Sequence, residues 1–185
     1  ASISADAGQN GNGGEVIVWS DQSTKFYGYI SARGGAQSGD GGFAEVSGKQ
    51  ELTFDGLADL SAAHGNPGTL LLDPKFIYVM NGGTNLASGW QTNAFADDPA
   101  GTNFLSPANL EAQLTNNNVT LQANTDIIFS NNVAVQPDSG NSSLTLEAGR
   151  SILFPNLLSI TLQPGGAFTA AVNDANSDVA TRAPL

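Results

Sequence analysis

The sequence predicts an all-β protein, a parallel β-helix with one inserted loop that carries a short helix. Three observations predict this fold. Short tripeptides and glycine clusters followed by apolar runs recur at intervals of 26 to 30 residues, a period typical of solenoids, propellers and arrays. Apolar and polar residues alternate in several short runs, as in strands with one buried face. Charged residues make up only 12% of the chain, and helix-forming residues are scarce.

The first 80 residues contain three related units. Ile3-Ser4-Ala5 recurs as Ile30-Ser31-Ala32 and as Leu60-Ser61-Ala62. A glycine-rich cluster follows each tripeptide, and each cluster leads directly into an apolar run that we expect to be a strand. The three clusters, each with its run, are Gly11–Gly14 with Val16–Trp19, Gly39–Gly42 with Phe43–Val46, and Gly65–Gly68 with Leu70–Leu72. Residues 1–80 are therefore predicted to form one block of β-helical repeats.

Residues 119–172 form a second predicted block. Val119–Asn124 and Leu144–Gly149 lie 25 residues apart, and each precedes a second β-rich run. Because Asn and Gly tolerate a left-handed backbone, the slot shared by Asn124 and Gly149 predicts a corner with positive φ. Ile160–Gly165 resembles a third, shortened copy. The predicted structural corners of the whole chain are Gly14, Gly42, Gly68, Asn124 and Gly149.

Residues 81–118 are predicted to be an insertion between the two blocks. Ser106 and Pro107 suit the N-cap and first position of a helix, which we expect near residues 107–115. Leu110 and Leu114 would share one face and dock on the rod. Residues 173–185 leave the repeat pattern and read as a polar tail.

Stacked coils explain why such short units are stable. A unit of about 25 residues cannot bury its apolar face alone, but strands paired in parallel with their equivalents one coil away build a continuous core. A β-sandwich is the alternative, since short strands with frequent turns also suit it. The in-register repeat favours the solenoid.

Composition excludes several functional classes. The chain carries 17 acidic and 6 basic residues, a net charge of −11, and the basic residues are scattered, so a nucleic-acid partner is not expected. The absence of cysteine excludes disulfides, zinc–thiolate sites and a cysteine nucleophile. The sequence contains no run of 18 apolar residues, so no membrane-spanning helix is predicted. The chain opens in mid-pattern without a signal peptide, so we expect a piece of a longer parent chain.

Several motifs resemble the repeat tract of filamentous-haemagglutinin-like exoproteins, the secreted partners of two-partner secretion systems. The most specific are Gly41-Gly42-Phe43-Ala44-Glu45-Val46-Ser47-Gly48-Lys49 and Gly68-Thr69-Leu70-Leu71-Leu72-Asp73-Pro74-Lys75. The resemblance covers roughly residues 1–170 and does not include the family's secretion domain. It implies a right-handed parallel β-helix, an outer-membrane transporter as export partner, and a secreted or cell-surface location in a Gram-negative bacterium.

An enzymatic role is the first alternative. Some β-helices are polysaccharide lyases or glycosidases that use acidic residues on an outer face. Candidates here are Asp55, Asp59, Asp97 and Asp98, with Lys49 as the nearest base in sequence. The same carboxylates suit turns, where Asp bonds its own backbone. We therefore expect no catalytic residues.

No cofactor or metal is expected either. His64 is the single histidine and lies beside Gly65-Asn66-Pro67, as a solvated turn residue would. Calcium is the ion to consider, because corner aspartates beside glycine are typical of calcium-binding β-rolls. The spacing from Gly34 to Asp40 does not match the nine-residue pattern of those rolls.

Contacts with partners are predicted on two surfaces. The insertion supplies Trp90, Phe95, Asp97 and Asp98, and the first block supplies Tyr27 and Tyr29 on one side of a strand opposite Phe26. Trp19 and Phe26 are expected in the core.

Together these observations predict a non-catalytic structural or adhesive rod. Its expected partners are other regions of the parent chain and a glycan or protein on a host or cell surface. A self-associating filament is a further alternative, because uncapped coil ends expose strand edges.

Overall fold

The computed structural model is a parallel β-solenoid of about five turns with one short helix. It describes residues 1–81, 102–135, 141–155 and 157–173, and the side chains of Thr102 and Asn103 are outside the description. The first face is a sheet of six parallel strands in which each strand is a neighbour of its equivalent one coil away. These strands are β2 (Glu15–Ser20), β5 (Phe43–Gly48), β8 (Thr69–Pro74), β11 (Asn118–Ala123), β14 (Leu144–Ala148) and β17 (Phe168–Val172).

Two further faces complete each coil. The second consists of a two-stranded and a four-stranded sheet, and the third of a three-stranded and a two-stranded sheet. The second face contains β3 (Ser23–Phe26), β6 (Glu51–Phe54), β9 (Phe76–Val79), β10 (Thr102–Leu105), β12 (Asp126–Phe129) and β15 (Ser151–Leu153). The third contains β1 (Ser2–Ser4), β4 (Tyr29–Ser31), β7 (Leu57–Asp59), β13 (Val133–Ala134) and β16 (Ile160–Thr161).

The core is a set of aliphatic columns that run through the stack. Alternate residues of each first-face strand point inward, so equivalent positions in successive coils lie above one another. These inward residues are almost fully buried in the middle coils, whereas Val18 of the first coil is partly buried and those of the last coil are exposed. One such column, in register, is Val16, Ala44, Leu70, Val119, Leu144 and Phe168.

The predicted glycine corners are in register across the first three coils. The carbonyl of Gly14 accepts the N–H of Phe43, and the carbonyl of Gly42 accepts that of Thr69. A Cβ on Gly42 or Gly68 would overlap the backbone one coil away. Glycine is therefore required here because the backbones approach closely, and φ at these corners is not positive.

The prediction of positive φ at Asn124 and Gly149 is wrong. Positive φ among the described residues occurs at Gly11, Gly39, Gly165 and Asn173. The Asn124–Gly149 slot is a corner where the N–H of Gly149 donates to the carbonyl of Ala123, and the N–H of Asn124 donates to that of Pro74. Cross-coil bonds of this kind hold the chain without a left-handed residue.

Two repeat alignments also differ from the structure. Ile30 pairs with Ala58, so Leu60-Ser61-Ala62 is displaced by two residues from the predicted equivalence. A shift of two residues leaves each side chain on the same side of the strand, so the alternation of apolar and polar residues fits both alignments. Ile160 pairs with Val133 on the third face, and the true third copy of Val119 and Leu144 is Phe168.

The described part of the predicted insertion belongs to the stack. Strand β10 pairs in parallel with β9, with Thr102 opposite Phe76, and it also lies against β6. It is followed by helix α1 (Pro107–Gln113), whose N-cap Ser106 accepts the N–H of Asn109 at 3.0 Å as predicted. Residues 102–117 thus complete the coil that β8 and β9 begin, with β10 as an added second-face strand between β9 and β6.

In the part of the chain that the structure describes, no helix is long and apolar enough to cross a membrane. The polar tail predicted over residues 173–185 lies outside the description apart from Asn173.

Candidate functional site

Helix α1 occupies the position of a third-face strand between β7 and β13. Its apolar side faces the core, where Leu110 and Leu114 are fully buried, as the sequence predicted. A helix, however, directs its backbone N–H and C=O groups along its own axis, so it cannot satisfy the edge of a neighbouring strand. Side chains must supply those hydrogen bonds.

Two buried amides supply them on the β7 side. The Oε1 of Gln113 accepts the N–H of Ala58 at 3.0 Å, and its Nε2 donates to the carbonyl of Gly56 at 3.1 Å. The Oδ1 of Asn117 accepts the N–H of Leu60 at 2.7 Å, and its Nδ2 donates to the carbonyl of Ala58 at 3.0 Å. The two amides therefore reproduce the alternating acceptor and donor pattern of a parallel strand.

A carboxylate takes the same role toward the next coil. The Oε1 of Glu111 accepts the N–H of Ala134, in β13, at 2.8 Å. Sequence analysis missed Glu111, Gln113 and Asn117. A signal was present, because Leu110, Gln113, Leu114 and Asn117 have the spacing of one helix face, and amides on a core-facing side must find buried partners.

The coil that contains α1, which we call the helical coil, leaves a gap in one rim of the solenoid, the edge where the third face turns into the first. The segment that connects the third face to the first has nine residues in the coil before, 60–68, and nine in the coil after, 135–143. In the helical coil it has four, 114–117. Described residues of the two neighbouring segments lie on either side of it and line a cleft of about 620 Å³.

We call this cleft the rim notch. Thr115 and Asn116 are exposed on its floor, and Asn118 is partly exposed beside them. Its described lining is made of amides, hydroxyls and small residues, with no charged side chain. The lining residues on its two walls are Ser61, Ala62, Gly65, Asn66 and Pro67 on one side, and Asn141, Ser142 and Ser143 on the other.

Cross-coil side-chain bonds hold the notch walls in place. The side-chain oxygen of Asn118 accepts the N–H of Ser143 at 2.9 Å, and its Nδ2 donates to the carbonyl of Pro67 at 2.9 Å. On the wall that contains Pro67, the N–H of Asn66 donates to Asp40 Oδ1 at 2.7 Å. These residues are fixed by the solenoid, whereas the side chains of Thr115 and Asn116 face solvent.

A second cleft of about 590 Å³ adjoins the notch along the same rim and shares Ser61 and Ala62 with it. It contains an ion pair between Asp6 and Arg33, whose side-chain atoms are 2.9 Å apart. The hydrogen bond from Arg33 and those from its backbone N–H and Ser31 hold the pKa of the Asp6 carboxyl well below its usual range, against the opposing effect of burial. The pair is self-neutralising, so the two clefts form one rim groove without an unpaired charge among the residues described in its lining.

The predicted contact residues are distributed as follows. Tyr27 and Tyr29 are exposed in the first coil while Phe26 is buried, as period-two placement predicted. The Tyr29 hydroxyl donates to Asp59 at 3.3 Å, and burial together with that carboxylate raises the pKa of Tyr29. Trp90, Phe95, Asp97 and Asp98 lie outside the described residues.

The expectation that Trp19 fills the core is wrong. Its side chain is 55% exposed, because Val16 and Val18 take the inward positions of β2 and Trp19, at the next position, points outward. An aromatic ring therefore lies on the outer surface of the first face.

Of the carboxylates considered for catalysis, Asp59 is held in place by hydrogen bonds. Asp59 accepts the Tyr29 hydroxyl and the N–H of Ser61, as expected for a corner aspartate. Asp55 follows β6 whereas Lys49 precedes it, so the length of this strand separates them. His64 is exposed in a bend, as predicted. Within the described ranges, no group of three His, Cys, Asp or Glu side chains could hold a metal ion.

Fold and site together define a parallel β-solenoid with a helix-substituted coil and a neutral rim groove. No protein-family model matches the chain, and no curated protein matches it significantly.

Proposed function

We propose that the chain is a non-catalytic structural and adhesive segment, a stiff rod that presents contact surfaces. The observation that supports it best is the uninterrupted first face. Six strands pair in parallel and in register over inward columns of aliphatic residues. Backbone bonds along this axis and buried columns between coils resist bending, as in other solenoids.

The helical coil supports the same role. Gln113 and Asn117 bond the helix to the coil before it, and Glu111 bonds it to the coil after it. The two blocks then behave as one rod while the helix opens a non-repetitive groove on its rim. Binding residues commonly lie on such irregular segments held by a rigid scaffold.

We further propose that the rod belongs to a filamentous-haemagglutinin-like exoprotein, on the strength of the Gly41–Lys49 and Gly68–Lys75 motifs. Gly42 and Gly68 in these motifs lie at close backbone approaches between coils. In this proposal the parent protein passes through an outer-membrane transporter and is secreted or held on the surface of a Gram-negative bacterium.

Surface labelling tests the location and role together. Antibodies raised against the folded chain should label intact source cells, and external protease should remove the label. The purified chain on beads should also retain host cells above the level of beads that carry heat-denatured chain. Labelling only after permeabilisation would contradict the surface location, and equal retention by both bead types would contradict adhesion.

The enzyme alternative makes a different prediction. It requires Asp55, Asp59 or Asp97 to act with a base, and in a lyase such carboxylates could serve as ligands of a calcium ion. Thermal unfolding in EDTA and in excess calcium distinguishes the enzyme from the structural rod. An ion that binds the native state raises the midpoint temperature of unfolding. We expect the same midpoint in both. A large rise with calcium, or polysaccharide cleavage lost in Asp59→Asn, would favour the enzyme.

The last coil supports self-association as a second candidate. Phe168 and Val172 occupy inward positions of β17, yet they are 48% and 56% exposed. The outer edge of β17 is also unpaired among the described strands. An open edge over apolar side chains favours end-to-end stacking. Concentration-dependent filaments that are lost in Phe168→Lys would establish this role.

A further inference from the structure

We propose that the rim notch binds a neutral carbohydrate. The inference deepens the adhesive part of the proposed function and rests on it. Its starting point is a contrast in charge, since the chain carries a net charge of −11 while the described lining of the notch is uncharged. A notch whose described lining holds no charged side chain, on so acidic a molecule, favours a neutral ligand over a charged one.

The chemistry of the lining matches polyols. Asn116 offers a carbonyl acceptor and an NH₂ donor. The Thr115 hydroxyl donates to the carbonyl of Glu111 and keeps its acceptor capacity, and the Ser143 hydroxyl accepts the N–H of Ala167 and keeps its donor capacity. Sugar hydroxyls also donate and accept, so adjacent groups on a pyranose ring can pair with adjacent amides. The described lining holds no aromatic ring, so hydrogen bonds would dominate and a single site would be weak, in the millimolar range.

Size and shape fit an oligosaccharide better than a single sugar. The notch volume of about 620 Å³ is within the usual range of small-molecule sites. The adjoining cleft of about 590 Å³ extends it along the rim. Arg33 in that cleft is paired with Asp6, and the pair carries no net charge. The groove would therefore favour a linear neutral chain of a few sugars.

The floor residues are suited to a test because they do little for the fold. Thr115 and Asn116 are exposed, and the Thr115 hydroxyl donates only within its own helical turn, to the carbonyl of Glu111. Asn116→Ala removes an amide from the floor, and Thr115→Trp fills the notch. Gln22→Ala is the matched control, because Gln22 is an exposed amide at a corner of the first coil away from the notch.

The experiment is a titration of the isotope-labelled chain, followed by amide chemical shifts, with cellotriose, maltotriose, chitotriose, a sulfated trisaccharide and a Ser/Thr-rich peptide. We expect saturable shifts with at least one neutral trisaccharide, centred on residues 61–67, 115–118 and 141–143. Affinity should fall about fivefold in Asn116→Ala, be lost in Thr115→Trp and be unchanged in Gln22→Ala.

Four results would overturn the inference: no saturable shift with any neutral sugar, shifts that survive Thr115→Trp, binding of the sulfated sugar alone, or binding of the peptide alone. The dispersion of the amide chemical shifts and the cooperative thermal unfolding of the same samples show separately whether the rod is folded. A folded, stiff chain without sugar binding would remove the carbohydrate site and leave the structural role intact.

Discussion

The side-chain oxygen of Asn117 accepts the backbone N–H of Leu60 at 2.7 Å, across the boundary between a helix and a sheet edge. This bond and its companions to Ala58 allow a helix to stand where a strand would otherwise be. Local sequence favoured the helix, and the fold remains a single stack because two buried amides supply the bonds of a strand.

Asn117→Ala should therefore be strongly destabilising. The change leaves the Leu60 N–H and the Ala58 carbonyl without these partners in a buried setting, and each such group costs on the order of 1–3 kcal/mol. We expect a loss of about 3 kcal/mol in the free energy of unfolding, measured in urea. Asn116→Ala is the neighbouring control and should change stability by less than about 0.5 kcal/mol. Equal effects in the two variants would contradict the proposed role of Asn117.

The ion pair of Arg150 and Asp126 should contribute more to stability than that of Arg33 and Asp6. Arg150 Nε donates to Asp126 at 2.9 Å, and the Asp126 side chain is 6% exposed. Arg150→Ala would leave that carboxylate buried and lacking this partner, at a cost of about 3 kcal/mol. Arg33→Ala, where the partner is more exposed, should cost less than about 1 kcal/mol. The prediction fails if urea denaturation shows equal losses.

Asp6 should make the fold sensitive to acid. Its folded pKa lies well below the value of about 3.9 in an unfolded chain. Its contribution is therefore complete above about pH 4 and is lost as the pH falls from there toward the folded pKa. Asp6→Asn should have a lower melting temperature at neutral pH and a shallower decline between pH 4 and 2. Asp21→Asn, which removes an exposed carboxylate, should keep the wild-type slope, and an Asp6→Asn profile parallel to wild type would refute the assignment.

Close approach between coils should make Gly68 hard to replace. A Cβ on Gly68 would overlap the carbonyl oxygen of Gly42, whereas nothing lies within 4 Å of the same position on Gly8. Gly68→Ala should cost about 2–3 kcal/mol through strain, and Gly8→Ala should be neutral or slightly stabilising. The prediction is checked by the thermal unfolding of both variants. An unchanged unfolding temperature in Gly68→Ala would show that the coils can separate at this corner without a loss of stability.

Periodicity was sufficient to predict the solenoid, because the same spacing repeats the close glycine corners and the inward aliphatic positions. It could not fix the third-face register, where Leu60-Ser61-Ala62 matched an earlier tripeptide in sequence but lies two residues out of step. It also could not place Trp19, since parity in β2 is set by which valines reach the core. The rim notch depends on the difference between four-residue and nine-residue connections in adjacent coils, which becomes visible only once the strands are aligned.

The most direct test of the account is residue-resolved hydrogen exchange of the wild type and Asn117→Ala under native conditions. If the helical coil joins both blocks into one rod, the amides of β5 and β8 and those of β11 and β14 should open with similar free energies. All four strands should lose protection together in the variant. Separate opening of the two blocks in the wild type, or a loss confined to the strands on one side of the helix, would contradict a single continuous rod.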